Sequence, residues 1–159
     1  MFDQVEQDGQ GLFIGDLVGH VDRRALEIGR DAALADPPGA ALFSYYARGE
    51  LKAEGSSITE GIGQGRITKN LEGLKVDFPF QIPDTETVQT VFELLLDEGL
   101  CLGSSSGINV AGAVRLAREL GPGKTVVTIL CDGGSRYQSK LFNPAFLREK
   151  NLPLPRWMK

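Results

Sequence analysis

The chain has 159 residues, of which 42% are hydrophobic and 24% charged, and 17 basic against 21 acidic side chains leave a net charge of −4. A chain of that length supports one domain and buries roughly 70% of its unfolded surface. The mild acidity argues against nucleic acid or an anionic membrane as the main partner, and no apolar run reaches the length needed to span a bilayer.

The first residues, Met1-Phe2-Asp3-Gln4-Val5-Glu6, carry neither the basic nor the apolar part of a secretion signal, so the cytoplasm is the expected location. Residues 1–33 show no clear period and stay unassigned. They gather His20, Asp22, Arg23, Arg24 and Glu27 in a polar stretch, where Ala25-Leu26-Glu27-Ile28 could belong to a helix. The turn Asp36-Pro37-Pro38-Gly39 precedes a short helix expected from Ala40 to Arg48. Leu51 to Thr68 is polar and glycine-rich and reads as a long loop, and loops of that length inside a domain are usually functional.

From Lys75 to Cys131 the pattern is strand, helix, strand, helix, strand. The alternation over residues 76–82 predicts a strand that Pro79 restricts to an edge or bend. Asp84 is the expected N-cap of a helix in which Val88, Val91, Phe92 and Leu95 recur at helical spacing, and Gly99 ends it. Leu100-Cys101-Leu102 reads as a short apolar strand leading into a helix that runs to Leu120, with Val110, Val114 and Ala117 on its apolar face. Thr125 to Cys131 reads as a strand covered on both faces. Helices of this length between strands predict a parallel sheet with right-handed crossovers. Asn143-Pro144 is an N-cap with proline at the first helical position, opening a short helix to Lys150, and the tail from Leu152 to Trp157 is extended. Both cysteines, Cys101 and Cys131, end apolar runs and read as buried free thiols. A disulfide would require their strands to be neighbours.

One histidine and two separated cysteines supply neither a Ser-His-Asp triad nor metal-ligand spacing. Gly61-Ile62-Gly63-Gln64-Gly65 does not complete a dinucleotide fingerprint, because Arg66 stands at the last glycine. Gly103 to Gly107 lacks the lysine of a Walker loop. The run Gly103-Ser104-Ser105-Ser106-Gly107-Ile108-Asn109 opens the helix just after a strand. Its hydroxyls fit either plain helix capping or a cradle for a small polar ligand at the carboxyl edge of the sheet.

Three motifs come in order: Ser56-Ser57-Ile58-Thr59-Glu60-Gly61-Ile62-Gly63, then Gly103 to Asn109, then Cys131-Asp132-Gly133-Gly134-Ser135-Arg136-Tyr137-Gln138-Ser139. Together with Ala35-Asp36-Pro37, Tyr45-Tyr46 and Leu141-Phe142-Asn143-Pro144, this combination resembles the C-terminal half of the cysteine synthase family, of the fold type II pyridoxal-phosphate enzymes. The resemblance runs from about Ala35 to Lys159. It implies an α/β, three-layer, tryptophan synthase β-like fold with a parallel sheet, incomplete here, with residues 34–159 as the cofactor-facing lobe.

The resemblance also assigns roles. Ser105 matches the serine that hydrogen-bonds the pyridine nitrogen of pyridoxal 5′-phosphate. A hydroxyl can donate to a neutral ring nitrogen without keeping it protonated, which suits elimination and addition at the β-carbon rather than transamination. Glu60, Gly61 and Ile62 match the loop lining the cofactor face and substrate mouth, with Gly61 allowing close backbone approach. Asp132 and Gly133 match the turn beside the ring nitrogen, Gly133 standing where serine is expected.

The family's Schiff-base lysine, its asparagine loop and its phosphate loop find no match, and Lys52, Lys69, Lys75, Lys124, Lys140, Lys150 and Lys159 match no catalytic position. The implied reaction is replacement of the acetate of O-acetylserine by sulfide to give cysteine, with the isolated chain inactive. The implied partners are an amino-acid substrate, a second copy in a homodimer, and the C-terminus of serine acetyltransferase. A cystathionine β-synthase-like enzyme, a non-catalytic fragment that binds a partner protein, and an unrelated phosphate-binding α/β module remain alternatives.

Overall fold

The computed structural model describes residues 31–158 together with the backbone of strand β1 (Gly11–Gly15). His20 and the helix considered around Ala25 lie outside the described residues. Four parallel strands form one sheet in the order β3-β2-β1-β4, where β2 is Ala32–Asp36, β3 Phe78–Gln81 and β4 Val126–Val127. Leu12 pairs with Ala32 on one side of β1 and with Val127 on the other, so the sheet draws on backbone from both sides of residue 33. The fold is α/β with a parallel sheet, as the alternating pattern predicts.

β2 is fully buried, and its small side chains let a helix lie close above it. Helix α3 (Ser104–Leu120) does so. Ala33 and Ala35 of β2 pack with Ile108, Ala111 and Leu116 of α3 and with Ile82, and Phe78, Phe80 and Ile62 close the margin. A second cluster joins Val88, Val91 and Phe92 of α2 (Asp84–Asp97) to Tyr137, Leu141 and Leu147. Arg115 of α3 ties these layers, donating to Glu86 of α2 through Nε (3.1 Å) and Nη2 and to the Gln81 carbonyl of β3 (3.1 Å).

Several expectations hold. β3 with Pro79 is an edge strand. α1 (Leu42–Arg48) follows the proline turn, and its Phe43 N–H donates to the buried Asp36 carboxylate (2.9 Å). Gly99 takes a left-handed φ of 71° just past α2. Asn143 caps α4 (Pro144–Glu149), accepting from Ala145 N–H at 2.9 Å. The loop expected from Leu51 to Thr68 is irregular and continues to residue 77, where the strand starts later than expected.

Other expectations are corrected. Asp84 is not an N-cap: Pro83 holds that position, and the Asp84 carboxylate instead accepts from Ser57 Oγ and from Ile58 N–H (2.9 Å), anchoring the loop to the start of α2. Leu100 to Leu102 is not a strand. It makes a single antiparallel bridge, Leu102 to Gly133, and Leu100 is exposed.

The strand expected over residues 125–131 shrinks to Val126–Val127 at one edge of the sheet among the described residues, with Val127 50% and Leu130 45% exposed. Beyond it the side chains of α3 replace a strand ladder. Asn109 Nδ2 donates to the Ile129 carbonyl (3.0 Å), and Ser106 Oγ accepts from Cys131 N–H (2.9 Å).

The buried face of α3 is also not the expected one. Val114 is 42% exposed and Ala117 is open, because the helix points Ile108, Ala111 and Leu116 at the sheet. Both cysteines are free but exposed rather than buried, since neither flanking segment is covered by a neighbouring strand among the described residues.

Candidate cofactor site

The site forms where α3 begins. Gly103 is its N-cap in an extended conformation, and Ser104, Ser105 and Ser106 follow as its first turn, all buried. Helix geometry leaves the first amide N–H groups without intrahelical acceptors, which favours a polar or anionic group in front of them. The helix has no side-chain N-cap bond, since its N-cap is Gly103, and the serines turn elsewhere. Ser106 accepts from Cys131 N–H, Ser105 Oγ donates to Asp132 Oδ1 (3.5 Å), and Ser104 Oγ is buried with no partner among the described residues. A buried hydroxyl left without a partner asks for one from outside the chain. A small polar ligand with ring and oxygen acceptors fits that demand, as a pyridine cofactor would.

The facing wall is the segment 131–137. Gly103 N–H donates to the Asp132 carbonyl (2.9 Å), and Gly134 N–H donates to the Cys101 carbonyl (3.0 Å), so the segment lies antiparallel to 101–103. Two glycines permit that approach. A Cβ on Gly103 would lie 2.5 Å from Asp132 Oδ1 and collide with the Tyr137 ring. One on Gly134 would sit 2.7 Å from Cys101 Sγ. Tyr137 donates its hydroxyl to Asp132 Oδ2 (2.8 Å), and Arg136 Nη1 lies 3.5 Å from the same oxygen. Burial, reinforced by this hydrogen bond to the carboxylate, pushes the Tyr137 phenol up to about 12, so it stays a donor at neutral pH.

Ser105, Asp132 and Gly133 are thus brought together as the sequence suggests. Gly133 has ordinary extended torsions (φ −74°, ψ 151°), and a Cβ there would meet nothing nearer than the Cys101 carbonyl at 4.0 Å. Glycine in place of serine is therefore not a steric requirement. Glu60 of the long loop pairs with Lys140, three residues past the wall, and its charge is felt at Tyr137. Ile62 packs against the cluster that holds Ile108. Gly61 has a φ of 73°, which favours glycine, and a Cβ there would meet no other atom within 4 Å. A close approach within the chain occurs at Gly63, whose Cβ would stand 2.9 Å from Ala40 Cβ and 3.3 Å from Pro37 Cγ.

Loop residues 56–60 line an open cleft of about 640 Å³ with Lys140 and Lys150. Sequence reasoning placed Gly103, Gly134 and Tyr137 within motifs but gave none of them a role at the site. Close approaches and a phenol donor arise from the antiparallel pairing of two distant segments, and no spacing rule exposes that.

No protein-family model matches the chain. Over 125 residues it is 51% identical to cysteine synthase 1 of Neurospora crassa, covering 76% of this chain and 33% of that relative. Over 123 residues it is 50% identical to cysteine synthase 1 of Emericella nidulans, covering 75% and 33%. It is 33% identical over 118 residues to cysteine synthase A of Escherichia coli, covering 74% and 36%. The crystal structure of an O-acetylserine dependent cystathionine beta-synthase from Helicobacter pylori superposes with a TM-score of 0.69 at 27% identity, over 83% of this chain and 43% of that one. The chain spans about a third of the length of the curated relatives it matches. Over about three quarters of its length this chain belongs to the cysteine synthase family, of which it carries a C-terminal portion.

Proposed function

We propose that residues 34–159, with β1 paired into their sheet, form the cofactor-facing lobe of a pyridoxal 5′-phosphate-dependent cysteine synthase. The activity is replacement of the acetate of O-acetylserine by sulfide. The observation that carries this reading is the first turn of α3, three buried serines after a Gly103 N-cap, of which Ser104 has no hydrogen-bond partner among the described residues. When bound, pyridoxal phosphate supplies an electron sink for bond-breaking at the amino-acid substrate. Ser105 meets the ring nitrogen, and Asp132 and Gly133 form the wall beside it. Glu60, Gly61 and Ile62 border the substrate mouth. The Glu60–Lys140 pair fixes this loop over the wall, and the Asp84 anchor fixes its other end.

No lysine here takes the place of the one that holds the cofactor aldehyde. Lys52, Lys75, Lys140 and Lys150 are instead paired with Glu54, Asp77, Glu60 and Glu149. The purified chain is therefore expected to form no cysteine from O-acetylserine and sulfide, and it binds the cofactor reversibly. Ser105→Ala removes one neutral hydrogen bond, worth about 1 kcal/mol, and should weaken binding roughly five- to tenfold. Equilibrium dialysis of the chain and the variant against pyridoxal phosphate checks this. Equal affinities would remove Ser105 from the site.

Val127, Ile129 and Leu130, exposed at the β4 edge among the described residues, favour a second reading beside the first, association with another protein surface. A second copy is the proposed occupant, as a homodimer. Sedimentation across a concentration series tests it, a monomer at every concentration counting against it. The C-terminus of serine acetyltransferase is a proposed partner at the substrate mouth. No helix of the described residues is long and apolar enough to cross a membrane. The cytoplasm is the proposed compartment, although a Saccharomyces cerevisiae relative 34% identical over 125 residues is named a putative mitochondrial cysteine synthase.

A further inference from the structure

The apolar stripe that the helical period marks on α3 is not the one the core uses. Val110 is half-buried, Val114 is 42% exposed and Ala117 is open. Val110 and Val114 form one wall of a groove of about 360 Å³ between α2 and α3, with Leu94 and Ala111 along its floor. The opposite wall is a row of α2 at four-residue spacing, Gln89, Glu93 and Asp97, followed by Glu98. The three carboxylates of that wall are exposed. Glu93 accepts from Gln89 Nε2 at 2.8 Å, while Asp97 and Glu98 have no ion pair among the described residues. An apolar strip beside a charged rim is the character of a binding groove rather than of an ordinary solvated face.

That end of α2 is also built against its own dipole. The last carbonyls of a helix carry partial negative charge, which favours Lys or Arg there. α2 has no basic residue in its last turn and closes instead on Asp97, with Glu98 as its C-cap. A cation from outside the chain would relieve this crowding of negative charge.

The two helices run antiparallel, since Arg115 meets Glu86 at the start of α2 while Gly107 lies against Val91. Asp97 and Glu98 therefore stand at the Val110 end of the groove, and Arg118 stands at the far end. We propose that this groove docks a basic amphipathic helix of a partner protein. Its apolar residues, at i, i+4 and i+7, seat on Leu94, Val110 and Val114, and its Lys or Arg side chains meet Glu93, Asp97 and Glu98. A carboxylate at the other end of that helix meets Arg118 and fixes its direction. A second copy of this chain is a poor occupant, because a groove-to-groove contact sets these carboxylates against each other. None of these residues belongs to the candidate cofactor site, so the proposal stands or falls apart from that reading.

The test uses the full chain and a synthetic helical peptide as long as α2, 14 residues. The peptide carries leucine at i, i+4 and i+7, lysines beside them at one end and a glutamate at the other. Fluorescence anisotropy of the labelled peptide gives its affinity, and backbone amide spectra of the chain locate it. The amides of 93–98 and 110–118 are expected to move. Asp97→Lys should weaken binding by about tenfold or more, yet raise the urea midpoint of the chain, because it returns a cation to the helix end. Val114→Asp, at a site already 42% exposed, should weaken binding similarly and covers the case of a misfolded Asp97 variant. Glu50→Lys makes the same charge change at an exposed residue outside the groove and should leave the affinity unchanged. Absence of binding, movement of other amides only, or an equal loss in Asp97→Lys and Glu50→Lys would overturn the proposal. A dimer in sedimentation that Val114→Asp dissociates would assign the groove to a second copy and overturn it as well.

Discussion

Ile108→Ala is expected to lower the unfolding free energy by about 2–5 kcal/mol, the cost of removing a fully buried branched side chain and leaving its cavity. Ile108 has no exposed surface and packs with Ala33, Ala35, Ile82, Ala111 and Leu116 between the sheet and α3. Two of those neighbours are alanines of β2, which are too short to reach into the space left behind. The loss should therefore fall in the upper part of that range. Urea denaturation followed by circular dichroism reads it as a lower midpoint at unchanged slope. The same residue stands one turn from Ser104, so the variant is also expected to loosen the first turn of α3. A change below about 1 kcal/mol, the level of an exposed substitution, would show that Ile108 does not sit in a packed core.

Gly107→Ala has the opposite logic and is the second large effect. Alanine in a helix interior is favoured over glycine by about 1 kcal/mol. In an isolated helix the change would stabilise. Here the new Cβ would lie 2.7 Å from Val91 Cγ2 and 2.8 Å from the Thr87 carbonyl oxygen. The valine methyl can turn, but the carbonyl belongs to the backbone of α2 and moves only if the two helices separate. Overpacking of this kind costs about 1–3 kcal/mol; with a backbone carbonyl as the clashing atom the cost falls toward the top of that range, so a net destabilisation of up to about 2 kcal/mol is expected. A stabilised variant in the same urea titration would mean that α2 and α3 do not meet as closely as described.

What the sequence could and could not show divides along a physical line. The helix opened by Gly103 and closed by Gly121 was legible, because a Gly-Ser run at its start and a glycine stop at its end are local signals, although the strand expected before it is absent. The proline edge strand and the Asn143-Pro144 cap were legible for the same reason. The strand over residues 125–131 was misread because apolar character reports burial in some environment and does not say which one. At the β4 edge among the described residues they stay half exposed, with Asn109 and Ser106 supplying bonds that a neighbouring strand would make. The apolar face of α3 failed similarly. Val110, Val114 and Ala117 satisfy the helical period, but the helix buries its small and hydroxyl face at the site. At the site itself, Ser105 and Asp132 were found through motif resemblance. The close approaches of Gly103 and Gly134 and the bond from the Tyr137 phenol depend on two segments about 30 residues apart pairing, which no local signal reports.

The measurement that tests the central claim most directly is borohydride reduction of the chain saturated with pyridoxal 5′-phosphate, followed by peptide mapping. The claim is that this chain carries the ring-facing side of the cofactor site through Ser105 and the 131–137 wall, without a lysine for the cofactor aldehyde. It predicts that reduction fixes no pyridoxyl group in stoichiometric amount on any one of the seven lysines. Stoichiometric labelling of a single lysine, lost on addition of O-acetylserine, would contradict it.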